Sequence, residues 1–318
     1  MGTYNFYKPG VHEGFLPVRV LGQNIIDWFE KIGPNILEQM KHEVDVNKLQ
    51  PGIECLIDDK PIHDVPNINE NHKLVITESY CQYLWNLCYA LYTTFVEGIE
   101  KPSLLKQQNK NIIRNIEVIS KGIYSIILGL RLFNKREDAL YFNIPNPEIF
   151  NEEDTFYIKN TNVVYLAAMT WILYHEFAHQ YYGHIGRQSA KEELKKHELD
   201  ADDFATEMLI KSNFIEYDIT LKAGIIAALG SIIMCDSTLD GGKEHPNHDI
   251  RFERAIRQMN LKDEDDMWGL AAQLLSLWLT KMDVKLEINE IVNTPKEFFE
   301  ISLRQIRGLN ATSKQNIP

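Results

Sequence analysis

The stretch "WILYHEFAHQYYGHIGRQSAKEELKKHELDADDFA" (residues 171–205) carries four of the chain's ten histidines, interleaved with carboxylates. His175 and His179 are four residues apart, so on a helix they project from one face, about one turn apart. That spacing lets both imidazoles reach one zinc ion, with Glu176 on the adjacent side, in reach of a zinc-bound water. The pattern predicts a metal site, and the alternative is an amphipathic helix with two histidines on its polar face.

A second pair of polar residues offers a candidate third ligand and a hydrogen-bond partner for one of the liganding histidines. Glu198 and Asp202 are also four residues apart and share one face of the next predicted helix. A helix–turn–helix of this length can fold Glu198 back to the zinc. Asp202 is then placed to accept the free N–H of a liganding histidine, which fixes the tautomer and orients the ring. We therefore expect one Zn²⁺ per chain.

Two neighbouring residues compete with Glu198 as the third ligand. His197 and Asp200 are offset from Glu198 by about 100° and about 200° around the helix. Neither keeps the partnership with Asp202, so Glu198 is preferred. The whole segment could instead be a solvated charged face, but Ala201 beside Asp202 indicates close approach of another helix.

The residues after the first motif argue against a metzincin site. That pattern needs Gly at position 182 and His at position 185, where this chain has Tyr182 and Ile185. His184 is out of register with the pattern. It reads as a histidine at the end of a helix, where the helix dipole favours its positive charge.

A third segment, "KEHPNHDIRFERAI" (residues 243–256), opens a further predicted helix. One of its two histidines, His245 in preference to His248, is expected to donate a hydrogen bond to the oxyanion of a tetrahedral intermediate. The other would support the site. Arg251 would pair with the site carboxylates and hold the helix in place. The alternative is a loop histidine and an ordinary surface arginine.

The bulk composition narrows the classes of partner. The net charge is −12 and there is no basic stripe, which argues against nucleic acid. The N-terminus lacks the apolar core of a signal peptide, and we expect no transmembrane segment, because the longest apolar run, "AGIIAALGSIIMC" (residues 223–235), reads as a core helix. Four scattered cysteines do not form a disulfide framework. A cytoplasmic location fits best.

The order of predicted elements gives an α+β chain that is predominantly α-helical. We expect an N-terminal α/β region over residues 1–105 and a helical catalytic region over 106–318. The first contains strands in "IECLIDD" (53–59) and "HKLVIT" (72–77), a loop between them, and a helix over 79–98 that ends at Gly98 before a polar connector. The second contains an edge strand within 138–150 and helices near 112–133, 162–184, 189–212, 219–234, 248–260, 264–281 and 296–308.

Together the three motifs resemble known metallopeptidases. "HEFAH", "ELDAD" and "HPNHDIR" resemble the HExxH, ExxxD and HPxxxxR set of the HtpX-like gluzincins. The Lit-type phage-exclusion peptidase family is a closer match, on "AAMTWILYHEFAH", "ELDADDFATEMLI" and "EHPNHDIRFERA". This resemblance covers most of residues 50–260, whereas the first 50 residues do not obviously match.

The resemblance implies a zincin-like, gluzincin-type zinc endopeptidase acting inside the bacterial cell. Carried over to this chain, His175, His179 and Glu198 would bind zinc and Glu176 would be the catalytic base. In that family the implied target is elongation factor Tu, cleaved during phage infection. Apart from the resemblance, we expect the substrate to add as a strand to an edge near residues 138–146, and the alternative is that this stretch is only a proline-bounded loop.

Two other functions remain compatible with the sequence. One is a zincin-fold protein that binds a partner without cutting it, or whose activity is latent until an activating partner binds. The intact Glu176 argues against loss of catalysis but not against latency. The other is a metal-free helical adaptor, in which three correctly ordered motifs would be a coincidence.

Overall fold

The structure of the protein is a computed structural model. It describes residues 2–3, 14–46, 49–50, 53–57, 65–69, 71–108, 110–111, 114–134, 145–185, 190–288 and 291–315. Helices make up 71% of it, and a small three-stranded sheet lies toward the N-terminal side. The predicted α+β, predominantly helical class is confirmed.

The helices follow the sequence pattern closely in the C-terminal two thirds of the chain. All six helices predicted beyond residue 160 are present, although α6 starts seven residues earlier than expected. Two helices near the N-terminus were not predicted, because Gly and Pro dominate their boundaries. Pro34 occupies the first turn of the second of these, where its missing N–H costs nothing. The helices are α1 Gly22–Ile32, α2 Pro34–Asp45, α3 Glu78–Phe95, α4 Lys101–Gln107, α5 Ile116–Phe133, α6 Thr155–Tyr181, α7 Lys191–Ile210, α8 Asp218–Cys235, α9 His248–Gln258, α10 Asp266–Lys281 and α11 Pro295–Gln315.

The main sheet has three short strands in the order β2-β4-β3. Strands β2 (Ile53–Leu56) and β4 (Leu74–Thr77) are the two that were predicted, and they pair in parallel. Strand β3 (Asn67–Ile68) lies in the segment predicted to be a loop and pairs antiparallel with β4. The sheet therefore has β3 at one edge, which the sequence pattern did not reveal in so short a strand.

A second, two-stranded sheet joins distant parts of the chain. Strand β1 (Gly2–Thr3) pairs antiparallel with β5 (Ile149–Phe150). The predicted edge strand over residues 138–150 is thus present at its last two residues. Residues 138–144 lie outside the described part of the chain.

The predicted end of the third helix at Gly98 is wrong. After α3 the backbone makes a π-helical turn over residues 96–100 and continues directly into α4. The turn contains Glu97, whose buried carboxylate accepts hydrogen bonds from the Tyr157 hydroxyl and the Lys101 amine. Because this buried acceptor needs both donors, tertiary contacts keep the chain helical where the sequence suggests a break.

Buried hydrogen bonds link the N-terminal region to helix α6. The Trp85 indole N–H in α3 donates to the Asn162 side chain at 2.7 Å, and the Tyr174 hydroxyl donates to the carbonyl of Phe29 in α1 at 2.7 Å. Apolar residues from both predicted regions form one core cluster. The predicted boundary at residues 105–106 falls inside α4, and the division into two regions stays a prediction.

Helices α6 and α8 form the centre of the core. Residues Ile215–Cys235, which include α8, are long and apolar enough to cross a membrane, but 67% of their most apolar window is buried inside the protein. A helix that is apolar all round belongs in a core when neighbours cover it, as the sequence predicted for residues 223–235. Gly224 permits the close approach of α8 to α6, because an added Cβ would lie 2.4 Å from the Cβ of Ala167 and 2.8 Å from the backbone N of Ala168.

Replacing Gly224 with alanine should destabilise the protein by about 1–3 kcal/mol, because the new methyl group overpacks against backbone that cannot yield. Urea unfolding followed by circular dichroism measures this loss. The matched control is Gly308→Ala in α11, where an added Cβ meets nothing within 4 Å. That substitution should stabilise the protein by about 0.5–1 kcal/mol. Equal stability of the two variants would contradict the close α6–α8 contact.

Candidate metal centre

The first two candidate ligands lie near the C-terminal end of the buried helix α6. The helix ends because Gly183 adopts a left-handed conformation, with φ of 66°. The N–H of His184 then donates to the carbonyl of His179 at 2.8 Å, and the N–H of Gly183 donates to the carbonyl of Gln180 at 3.0 Å. These two bonds form a Schellman motif. His175 and His179 thus sit on the last two turns of a rigid helix that the surrounding core holds in place.

The structure brings His175, His179 and Glu198 together. The Nε2 atoms of the two histidines are 3.1 Å apart, and Glu198 Oε1 lies 3.4 Å from the Nε2 of His179. Glu198 Oε2 lies 3.7 Å from the Nε2 of His175. Ligands around tetrahedral zinc are about 3.3 Å apart, given bonds of about 2.0–2.1 Å. The three side chains fit a metal ion, and they form the one such group found among the described residues.

Asp202 and Arg251 contact this cluster, Asp202 at His175 and Arg251 at Glu198. Asp202 Oδ1 lies 3.0 Å from the Nδ1 of His175, on the side of the ring away from the other ligands. Arg251 donates to both oxygens of Asp202 at 2.8 Å, and its Nη1 lies 3.2 Å from Glu198 Oε2. Asp202 and Arg251 have only 2% and 4% of their side chains exposed. Asp202 thus lies within contact distance of a candidate ligand histidine, but among the described residues the Nδ1 of His175 has no partner in hydrogen-bonding geometry, and the predicted partnership stays a prediction.

The competing ligand His197 is not part of the group of described residues that could hold a metal ion. Its ring stacks on that of His184, with centroids 3.8 Å apart and planes 8° from parallel. The structure places the Nδ1 of His184 3.2 Å from the Nδ1 of His179. His184 therefore contacts a candidate ligand directly, which the sequence reading of a helix-end histidine did not anticipate.

The two histidines of the third motif occupy different positions. His245 Nδ1 lies 3.1 Å from Glu198 Oε2, so it contacts the candidate ligand carboxylate, and its side chain is 47% exposed. His248 begins α9, and its Nε2 pairs with Asp236 Oδ2 at 2.7 Å. Neither contact tests the predicted oxyanion role of His245, which stays a prediction.

Burial and neighbouring charges set the protonation of the cluster. Burial, helped by the neighbouring His175, lowers the pKa of His179 to about 3. Burial alone would raise the pKa of Glu198, but the hydrogen bond from His245 and the surrounding cations lower it below its usual range. A neutral imidazole and an ionised carboxylate are the forms that bind a metal. The environment thus prepares His179 and Glu198 for a cation.

Glu176 faces a cavity of about 620 Å³ that also borders the three candidate ligands. Burial raises the pKa of Glu176 to about 7, with His175 acting in the opposite direction. Such a carboxyl group can both accept and release a proton near neutral pH. Tyr80 of α3 and Ser231 of α8 also line the cavity and hydrogen bond to each other at 2.7 Å.

Sequence reasoning did not identify Tyr80, Ser231 or the strand segment 65–68 as part of this cavity. Tyr80 lies almost a hundred residues before the first motif, in a helix whose pattern indicates core packing. No local spacing could connect it with Glu176. These residues are found only once the helices are packed.

The Asp202–Arg251 pair should contribute strongly to stability. Asp202→Asn leaves a buried guanidinium short of a charge partner, so we expect a loss of about 3–5 kcal/mol. Asp203→Asn is the matched control, because Asp203 pairs with Arg254 through the same two-bond geometry but at the surface. Its loss should be about 0–1 kcal/mol. Denaturant unfolding in the presence of a chelator measures both, and equal losses would contradict a special role for the buried pair.

Comparisons with known proteins place the sequence in a family. The family model for Peptidase U49 matches residues 74–271, which is more than half of the chain. The match runs from β4 into α10 and includes all three motifs. No similar protein was found among curated proteins, and none among solved structures. The chain belongs to the Peptidase U49 family, the Lit-like peptidases.

Proposed function

We propose that this peptidase is a zinc-dependent endopeptidase of the gluzincin type. The observation that carries the proposal is the convergence of His175, His179 and Glu198, whose nearest ligand atoms are 3.1–3.7 Å apart. Two imidazoles and one carboxylate are a typical catalytic zinc set, which leaves a fourth position open. The buried Asp202 beside His175 supplies the usual support of a liganding histidine.

The roles of the side chains follow from their positions. A bound zinc ion would supply Lewis acidity that polarises water and the peptide carbonyl. The Glu176 carboxylate accepts the proton of the attacking water and delivers it to the leaving amine. Its position in the cavity wall, one residue after His175, suits both transfers. Asp202 and Arg251 hold the ligands while the proton moves, and His245 donates to the oxyanion.

The substrate binds across the edge of the main sheet. Residues 65–68, which contain β3, line the same cavity as Glu176. Within the described part of the chain, β3 pairs with β4 alone, so its other edge can accept an extended peptide. The segment 138–146, which the sequence suggested for this role, has its residues 138–144 outside the described part. We assign the role to β3 because of its position at the cavity.

The substrate class proposed is an intracellular protein of the bacterial translation machinery, with elongation factor Tu as the first candidate. The membership in the Lit-like family supports this target, because it is the one implied by the resemblance of the three motifs. A cytoplasmic location accompanies the proposal. The net charge of −12 favours a protein partner over nucleic acid.

Zinc content distinguishes ligands from the catalytic base. Purified wild-type protein and Glu176→Ala should each contain one zinc per chain, because Glu176 is not a ligand. His179→Ala should lose the metal, since two of three ligands cannot hold it tightly. Elemental analysis after folding with zinc measures this. Absence of zinc from all three proteins would rule out a zinc peptidase and favour the metal-free adaptor.

Peptidase activity tests the role of Glu176. Incubation of zinc-loaded protein with purified elongation factor Tu should yield discrete fragments on mass spectrometry. Glu176→Gln should slow cleavage by about 10²–10⁴-fold, because it removes the proton acceptor, while retaining zinc. If the zinc-loaded wild type cleaves neither elongation factor Tu nor any protein in a bacterial lysate, the latent or non-catalytic binding protein becomes the better explanation.

A further inference from the structure

The two candidate histidine ligands are held in different ways. His175 has a carboxylate, Asp202, at its Nδ1, which is the usual arrangement for a liganding histidine. His179 has another imidazole there, because its Nδ1 lies 3.2 Å from the Nδ1 of His184. A carboxylate can only accept from the ring, whereas an imidazole nitrogen accepts or donates according to its tautomer. The contact between His179 and His184 therefore depends on the proton positions of both rings.

The ligand geometry fixes these proton positions. The Nε2 of His179 points to the Nε2 of His175 and to Glu198 Oε1, so it is the ligand atom. A neutral imidazole that binds a metal through Nε2 carries its proton on Nδ1. His179 Nδ1–H must then donate, and the Nδ1 of His184 must accept. This requires His184 to carry its own proton on Nε2.

His184 is held in place by the two elements that carry the ligands. Its backbone N–H closes the Schellman motif at the end of α6 by bonding to the carbonyl of His179. Its ring stacks on His197 of α7, the residue immediately before Glu198, with centroids 3.8 Å apart. The backbone of His184 is therefore fixed by α6 and its ring by the stack on α7.

We propose that His184 is a positioning residue for the metal site. It accepts a hydrogen bond from the Nδ1–H of His179, which fixes the tautomer and orientation that aim the Nε2 of His179 at the metal. The stack on His197 holds His184 in the accepting position and ties the end of α6 to α7. This inference rests on the proposed zinc binding and adds a residue to the support of the site.

A second metal site at this position is the competing explanation, and the geometry argues against it. The rings of His184 and His197 lie face to face, 8° from parallel, so they do not aim nitrogens at a shared point between them. Among the described residues, the group able to hold a metal ion consists of His175, His179 and Glu198. His184 and His197 therefore act on the site through His179.

Zinc affinity of the full-length protein, measured by competition with a chromophoric chelator, tests the proposal. His184→Phe keeps a ring that can stack but removes the acceptor, and it should weaken zinc binding by about 10–100-fold. His184→Asn restores an oxygen near the position of Nδ1 and should recover part of that loss. His197→Phe is the control that preserves the stack, and it should bind zinc nearly as tightly as the wild type.

The outcomes separate this inference from the proposed function. Wild-type affinity in His184→Phe, together with zinc binding by the wild type, would overturn the positioning role and leave the zinc site intact. Loss of zinc from His197→Phe as complete as that from His179→Ala would also overturn it, because His197 would then be a ligand. A wild type that binds no zinc would overturn both. Thermal unfolding of the metal-free variants checks that each one is folded.

Discussion

The site depends on the ion pairs that the buried guanidinium of Arg251 makes with two carboxylates. A permanently charged group that is almost completely removed from water needs charged partners, and Arg251 finds them in Asp202 and Glu198 of α7. Asp202 in turn contacts His175 of α6. One arginine in α9 thereby fixes the relative positions of the three helices that carry the three sequence motifs.

The surrounding helices hold this network in place and leave a cavity beside it. Helix α6 is surrounded by α3, α7 and α8, so its histidines have little freedom to move, and ligands fixed on a buried helix lose little entropy on binding a metal. On the other side, α3, α8 and the segment 65–68 leave a cavity beside Glu176. The same packing that buries Asp202 and Arg251 leaves the Glu176 carboxyl group at the wall of a cavity.

The two candidate histidine ligands have different neighbours. His175 lies beside a carboxylate that is itself held by Arg251, whereas His179 lies beside the imidazole of His184, which stacks on His197, and we propose that these neighbours support the two rings. The first support is electrostatic and buried. The second is built from stacked rings at the end of α6. The two supports suit the different depths of the two ligands.

Local sequence spacing by itself predicted the helical class, the helices beyond residue 160 and two same-face pairs, His175 with His179 and Glu198 with Asp202, because helical periodicity places residues four apart on one face whatever surrounds them. It also placed Asp202 and Arg251 near the site. Tertiary structure alone decided the continuation of the chain past Gly98, the edge position of β3, the contact of His184 with His179 and the presence of Tyr80 in the cavity. These depend on packing that local spacing does not report: Glu97 meets Tyr157, Tyr80 meets Ser231, and the ring of His184 stacks on His197 of another helix. Periodicity reports which face of a helix is polar, but the partner that this face meets is set only when the helices pack.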